Sequence, residues 1–75
     1  MLHHVGAGVK ARRKALGFSL RGLAKSLPIG YVMLCEFENG KKDTTVSVML
    51  SICKELDMTL QELERLGKDV RGNKL

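Results

Sequence analysis

The sequence has no tryptophan, one tyrosine and one proline among its 75 residues. It contains no run of about 18 apolar residues, so we expect no transmembrane helix and no membrane partner. The first residues lack the apolar stretch and cleavage site of a secretory signal. No segment of useful length alternates apolar and polar residues, which argues against a β-sheet. A chain of this length forms one small core and leaves no room for a second domain.

Cysteine and histidine are also scarce, and their spacing predicts no metal site and no catalytic set. Cys35 and Cys53 lie far apart without a CxxC pair, so zinc is not indicated. Both lie in apolar helical patterns, and we interpret them as reduced thiols in a cytoplasmic protein. His3 and His4 have no third ligand nearby in the sequence. We therefore expect no enzyme, no metal and no cofactor.

Positive charge is what the chain has in excess. It carries 13 Lys and Arg against 8 Asp and Glu, a net charge of +5, with a pI near 9.6. This balance favours an anionic partner such as nucleic acid, although many basic proteins bind none. The last residues, GKDVRGNKL, are basic and have little apolar content. We expect one domain over 1–75, with an ordered core of about 5–66 and a flexible basic tail over 67–75.

Capping signals divide the chain into five helices. Ser19 and Thr45 each precede an apolar helical pattern as N-caps, and Thr59 with Glu62 has the spacing of a capping box. Gly17 and Gly40 follow helix ends. The predicted helices cover about 5–16, 20–26, 31–39 and 46–56, and the fifth starts after Thr59.

The spacing of apolar residues predicts which helix faces are buried. On the first helix the inner face carries Val9, Arg13 and Leu16. On the third helix Leu34 and Phe37 point inward. The fourth helix has a core period formed by Val46, Met49, Leu50, Cys53 and Leu56.

Short helices joined by short turns are the architecture of helix-turn-helix proteins. From Val9 through Leu63 the chain resembles the Cro/CI-type helix-turn-helix family, also called the XRE family, without a gap. The matching segments are RRKALGFSLRGLAKSL, LCEFENGKK and VMLSICKELDMTLQEL. The resemblance implies an all-α, five-helix lambda-repressor-like domain. It also implies a transcriptional regulator that binds double-stranded DNA.

The resemblance assigns DNA contacts to the second and third helices, with the third helix in the major groove. Carried over position by position, the base-reading sites are Gly30, Tyr31, Val32 and Glu36. The phosphate-anchoring sites are Leu20, Asn39, Lys41 and Lys42. From the basic segment VKARRK we also expect Lys10 and Arg12 to contact phosphates, and the alternative is that they belong only to the solvated face of the first helix. The sequence departs from the family pattern at positions 20, 28 and 30. The family usually has Gln at position 20, Gly at Pro28 and Ser or Thr at Gly30.

The resemblance also implies an ion pair between Arg13, on the first helix, and Glu38, near the end of the third. We expect a bidentate pair, because the planar guanidinium matches a carboxylate with two parallel N–H groups. The alternative is that both are solvated surface charges.

Three alternatives remain open for the apolar run Tyr31, Val32 and Met33. The helix reads DNA by shape and apolar contact, with Val32 on a thymine methyl and Glu36 accepting from cytosine N4. Alternatively, the helix binds another protein. FENGKKDTT resembles the end of the third helix in HipB-type antitoxins, and the partner would then be a toxin. Or these are ordinary exposed side chains, which need no partner.

Family members commonly bind near-palindromic operators as dimers, so the resemblance implies a homodimeric regulator, which we interpret as a repressor. The candidate dimer surface lies on the fifth helix and the tail. It consists of Leu60, Leu63, Leu66 and Val70. The first two could equally belong to the core.

Overall fold

The computed structural model of the protein describes residues 4–72, so His3 and the tail residues 73–75 lie outside the described range. Between these limits the chain forms five helices and no strand, which confirms the all-α prediction. The helices are α1 (Val5–Ala15), α2 (Leu20–Ala24), α3 (Tyr31–Glu38), α4 (Val46–Leu56) and α5 (Leu60–Gly72). No helix within this range is long and apolar enough to cross a membrane.

Three helices begin at side chains that accept free backbone N–H groups. Ser19 Oγ and Thr45 Oγ1 each accept from the N–H three residues further along, at 2.9 and 3.2 Å. Thr59 N donates to Glu62 Oε1 at 2.8 Å, and Glu62 N donates to Thr59 Oγ1 at 3.1 Å. The hydrogen bonds of this capping box lower the pKa of the Glu62 carboxyl, and the bond from the Thr59 backbone N–H has the largest effect. The predicted starts of α2, α4 and α5 are confirmed.

The apolar core contains side chains from all five helices and from the turn that follows α2. Its buried members are Val5, Val9, Leu23, Leu27, Leu34, Phe37, Val48, Ile52, Leu56 and Leu63. Val9, Leu34, Phe37 and Leu56 were predicted to be there. Leu16, predicted to face inward on the first helix, is instead exposed at the C-cap of α1.

The buried face of α4 differs from the predicted one. Val46 and Leu50, which we expected in the core, are 76% and 64% exposed. The buried side chains of α4 are Val48, Ile52 and Leu56, with Met49 and Cys53 packed at the edge of the core. The prediction was wrong because apolar residues occupy both sides of this helix. A helical period therefore fits the sequence in more than one phase.

Glycines allow α1 and α5 to pack with their backbones in close approach. A Cβ atom at Gly8 would overlap the carbonyl of Leu63, and one at Gly67 would overlap the carbonyl of His4. Gly67 is buried there, and α5 continues to Gly72. Residues 67–72, expected in the flexible tail, therefore belong to a helix that packs on α1.

The position of α5 also revises the predicted dimer surface. Leu63 is fully buried in the core, so it is a core residue and contributes nothing to an interface. Leu60 is partly buried and packs against the same core. Leu66 is half-buried, and Val70 is exposed. Of the four candidates, Leu66 and Val70 are the ones that retain accessible apolar surface.

Candidate nucleic-acid interface

The segment 20–38 has the geometry of two helices joined by a turn. Leu23 of α2 and Leu34 of α3 are buried in the common core, which fixes the two helices to each other and to the rest of the domain. Leu20, at the start of α2, is partly buried against the same core. Position 20 therefore presents no polar group to an outside partner.

The C-terminal half of α3 is fixed on the core. Phe37 is buried beside Leu34, and the helix ends in a pair of backbone hydrogen bonds around Gly40, which has φ 75°. Gly40 N donates to Phe37 O at 3.1 Å, and Lys41 N donates to Glu36 O at 2.8 Å. These two bonds form a Schellman motif, which favours glycine at the left-handed position. The loop that carries Lys41 therefore leaves α3 in a defined direction.

A buried ion pair joins α1 to the end of α3. Arg13 Nε donates to Glu38 Oε2 at 2.7 Å, and Arg13 Nη2 donates to Glu38 Oε1 at 3.0 Å. This is the bidentate geometry that the family resemblance implies. Arg13 Nη1 also donates to Phe18 O at 2.9 Å, so one guanidinium connects α1, the α1–α2 turn and α3. The hydrogen bond to Glu38 raises the pKa of Arg13.

The N-terminal half of α3 is open to solvent. Tyr31, Val32 and Met33 are 40%, 57% and 44% exposed. The N-cap residue Gly30 makes no side-chain cap, so the first N–H groups of α3 have no side-chain acceptor, unlike those of α2, α4 and α5. Glu36 is half-buried further along the helix. Thus three of the four residues assigned to base reading, Gly30, Tyr31 and Val32, lie at the exposed start of α3, while the half-buried Glu36 lies in the half that packs on the core.

Tyr31 is paired with a residue that the sequence analysis missed. Arg21, on α2, donates from Nη2 to Tyr31 Oη at 3.0 Å. Its Cζ atom also lies 4.3 Å from the centroid of the tyrosine ring, which is a cation–π contact. No sequence motif marks this pair, because the two positions are adjacent only once α2 packs on α3.

A groove of about 790 Å³ lies between α1, the segment 37–44 and the end of α5. Three of the predicted phosphate contacts, Lys10, Asn39 and Lys42, line it. Lys14 lines it as well and was missed, although its place four residues after Lys10 puts both on one face of α1. Lys41 is exposed in the adjoining loop. The structure thus groups cationic side chains close to the end of α3.

Arg12 does not belong to this group. At 100° per residue it lies about 200° around α1 from Lys10, on the opposite side of the helix. There Arg12 Nε donates to Leu56 O at 3.0 Å, at the C-terminal end of α4. A cation at this position interacts favourably with the free carbonyls of a helix end. The placement argues against the predicted phosphate contact and for a structural role.

Both thiols are free and half-buried. Asn39 Nδ2 donates to Cys35 Sγ at 3.5 Å on the outer side of α3, and burial raises the pKa of the Cys53 thiol. Among residues 4–72 no group of His, Cys, Asp or Glu side chains could hold a metal ion.

Comparisons with known proteins agree with this geometry. A family model described as helix-turn-helix (HTH_3) matches residues 9–63. The chain belongs to the XRE family of helix-turn-helix proteins. This helix-turn-helix domain is similar in structure to the clp gene regulator ClgR from Corynebacterium glutamicum, with a TM-score of 0.83. That comparison covers 99% of this chain and 80% of the other, and at 23% identity it shows the shared fold. No curated protein matches the chain.

Membership of the family confirms the resemblance and the lambda-repressor-like fold drawn from the sequence. XRE helix-turn-helix domains are DNA-binding modules of transcriptional regulators, so the protein is a DNA-binding regulator and not an enzyme. The start of α3 is exposed, and cationic side chains lie beside its end.

Proposed function

We propose that the protein is a repressor that binds a near-palindromic operator as a homodimer, with α3 in the major groove. The division of α3 into two halves is the observation that carries this proposal. Leu34, Phe37 and Glu38 are buried and fix α3 on the core, while Tyr31, Val32 and Met33 in its first turn are exposed. Of these three, Tyr31 accepts a hydrogen bond from Arg21. A helix fixed at one end and free at the other can present side chains to base edges in a constant orientation.

In this proposal the four residues of α3 and its N-cap that were assigned to base reading face the major groove, and two of them contact bases through their side chains. Val32 packs on a thymine methyl, and Glu36 accepts from cytosine N4. Gly30 has no Cβ and nothing within 4 Å of where one would be, so the DNA backbone can approach the start of the helix closely. Tyr31 lies at the edge of this surface beside α2. With so few polar side chains, direct readout is modest and shape contributes the rest.

The phosphate contacts in this proposal are three lysine side chains, one asparagine side chain and backbone amides. The side chains are Lys10, Asn39, Lys41 and Lys42. The free N–H groups at the start of α3 add an anion site of the kind that helix N-termini provide. A regulator that binds DNA is expected in the compartment that contains the DNA. The two free cysteines suit a reducing compartment, so we place the protein in the cytoplasm.

Binding to random-sequence duplex DNA over a salt series tests this function. Several phosphate contacts predict a steep negative slope of log K against log salt, since each contact contributes about −0.9 to the slope. No binding at low salt would contradict the DNA-binding proposal. Two variants separate the roles of the contacts. Glu36→Ala should change the preferred sequence, whereas Lys41→Ala should weaken all sequences about equally.

The homodimer is tested by sedimentation of two variants. The accessible apolar residues on α5 are Leu66 and Val70, and on α4 the exposed pair is Val46 and Leu50. If α5 forms the interface, Val70→Glu should produce monomers, and if α4 forms it, Leu50→Glu should do so. In either case the interface would have to bury an unpaired carboxylate, which opposes association. A wild-type protein that remains monomeric at high concentration and on DNA would contradict the dimer.

A second candidate function is a protein-binding domain such as a HipB-like antitoxin that binds a toxin. The exposure of Val32 and Met33 favours it, since apolar residues next to each other often mark protein contacts. The salt series distinguishes a repressor from a domain that binds protein alone, because the latter would show no salt-dependent binding to DNA. An antitoxin that also binds its operator would give a slope like a repressor's, so Val32→Asp should then weaken both toxin and DNA binding.

A further inference from the structure

We propose that Arg21 contacts a DNA phosphate and that Tyr31 positions its guanidinium for this contact. The inference rests on the proposed DNA-binding function and adds a residue that neither the family resemblance nor the sequence analysis assigned. It also gives the exposed Tyr31 a role other than reading a base.

The contact between the two residues is specific. Arg21 is the second residue of α2 and Tyr31 is the first residue of α3. One guanidinium N–H donates to the phenol oxygen at 3.0 Å, while the cation lies 4.3 Å from the ring centroid. Both side chains are exposed. The pair therefore lies on the surface where α2 meets the start of α3.

The guanidinium retains the capacity to bind an anion. Arginine has five N–H donors, and the phenol oxygen takes one of them. Within residues 4–72 Arg21 has no carboxylate partner, whereas Arg13 has Glu38 on two of its nitrogens. Four donors and a full positive charge therefore remain available. An arginine of this kind suits bidentate recognition of a phosphate.

Stacking on the ring prepares the side chain for binding. A free arginine side chain loses rotamer freedom when it binds, and this loss opposes association. Contact with Tyr31 restricts the rotamers of Arg21 before DNA binds, so less rotamer freedom is lost on binding. The phenol O–H, whose oxygen accepts from Arg21, can still donate to a second phosphate oxygen.

The position agrees with how helix-turn-helix units dock. The first helix of such a unit crosses the DNA backbone, and the second enters the major groove. Arg21 lies on the first and touches the N-terminal residue of the second, so its charge is at the junction of backbone and groove. Leu20, its neighbour, packs against the core and offers no donor. Arg21 therefore supplies the cationic donor at the start of α2.

The test measures affinity and salt slope on one duplex, selected from a random library with the wild-type protein. Arg21→Ala should weaken binding about tenfold, as expected for a lost charge-assisted hydrogen bond. It should also make the log–log slope about 0.9 less steep, the value for one phosphate. Arg65→Ala is the matched control, because Arg65 is also an exposed arginine and lies on α5. It should leave affinity and slope unchanged.

Variants of the tyrosine separate positioning from direct contact. Tyr31→Phe keeps the ring under the guanidinium and should bind within about threefold of wild type, whereas Tyr31→Ala should bind more weakly at an unchanged slope. Tyr31 is the only tyrosine and there is no tryptophan. Intrinsic fluorescence therefore reports on this ring alone. Arg21→Ala should change that emission without DNA, while Arg65→Ala should not.

The outcomes distinguish this inference from the proposed function. If the wild type binds duplex DNA and Arg21→Ala behaves like Arg65→Ala, the inference is wrong and the DNA-binding function stands. A change in preferred sequence with Arg21→Ala would mean a base contact and would also overturn it. If the wild type binds no duplex at low salt, both proposals are wrong. Circular dichroism of each variant checks that these surface changes leave the fold intact.

Discussion

The two halves of α3 differ in how completely the fold uses them. From Leu34 to the end of the helix, Leu34, Phe37 and Glu38 are buried, and the helix end is closed by backbone hydrogen bonds around Gly40. In the N-terminal half, Val32 and its neighbours are exposed and the first turn has no side-chain cap. The fold therefore uses only part of a helix of eight residues and leaves the rest accessible, where the proposed function places recognition. Substitutions in one half should therefore affect folding, and those in the other should affect binding.

The largest expected effect is at the ion pair of the buried half. Glu38→Gln should lower the free energy of unfolding by about 3–5 kcal/mol, because it leaves the buried Arg13 guanidinium without a countercharge. Urea unfolding followed by circular dichroism measures this loss. The matched control is Glu36→Gln, two residues away on the same helix and without an ion pair, which should stay within about 0.5 kcal/mol. If both variants unfold alike, the pair does not stabilise the domain.

A second change in the buried half tests the packing of α1 against the end of α3. A Cβ atom at Gly6 would overlap the carbonyl of Phe37 and lie 3.2 Å from that of Glu38. Gly6→Ala should cost a net free energy of about 1–2 kcal/mol, since overpacking outweighs the better helix propensity of alanine. Gly72→Ala is the control, because nothing lies within 4 Å of a Cβ there. Equal unfolding midpoints for the two variants would show that α1 shifts to accommodate the added methyl group without a loss of stability.

The buried half of α3 was also the part that the sequence could predict. Leu34 and Phe37 have helical spacing, and Asn39-Gly40 is a typical helix end, so local rules suffice. The capping residues Ser19, Thr45 and Thr59 were predicted for the same reason, since each acts within three residues of itself. The Arg13–Glu38 pair is not local. It followed from the family resemblance, because nothing in the spacing of two distant charges shows that they meet.

The failures share one physical cause, which is packing between elements distant in sequence. Val46 and Leu50 were assigned to the core because an apolar helix does not show which side meets its neighbours. Residues 67–72 were assigned to a tail because their burial depends on a glycine contact with α1 and not on apolar side chains. The contact between Arg21 and Tyr31 was missed for the same reason.

A third prediction moves to the exposed half. Val32→Ser should change the free energy of unfolding by less than about 0.5 kcal/mol, because the side chain has no core contact to lose. Its effect should appear in binding. If Val32 packs on a thymine methyl, replacing that base pair costs the wild type roughly 1 kcal/mol or more, and the variant should lose this discrimination. Val46→Ser, an exposed valine on α4, is the control and should keep the wild-type preference. An unchanged base preference in Val32→Ser would assign Val32 to a protein partner or to ordinary surface.

The smallest expected effect on stability concerns the missing side-chain cap of α3. A substitution that supplies a cap should increase the stability of the domain and weaken DNA binding. Gly30 has extended backbone angles, φ −79° and ψ 166°, and open space at its Cβ, so other residues fit there. Gly30→Asp should stabilise the domain by a few tenths of a kcal/mol, because the carboxylate accepts the free N–H groups and interacts favourably with the helix dipole. The same carboxylate would occupy the anion site and repel phosphate, so DNA binding should weaken. Gly30→Ser supplies a cap without charge and should gain similar stability with a smaller loss of binding. If Gly30→Asp binds DNA as tightly as Gly30→Ser, the start of α3 does not approach the DNA backbone.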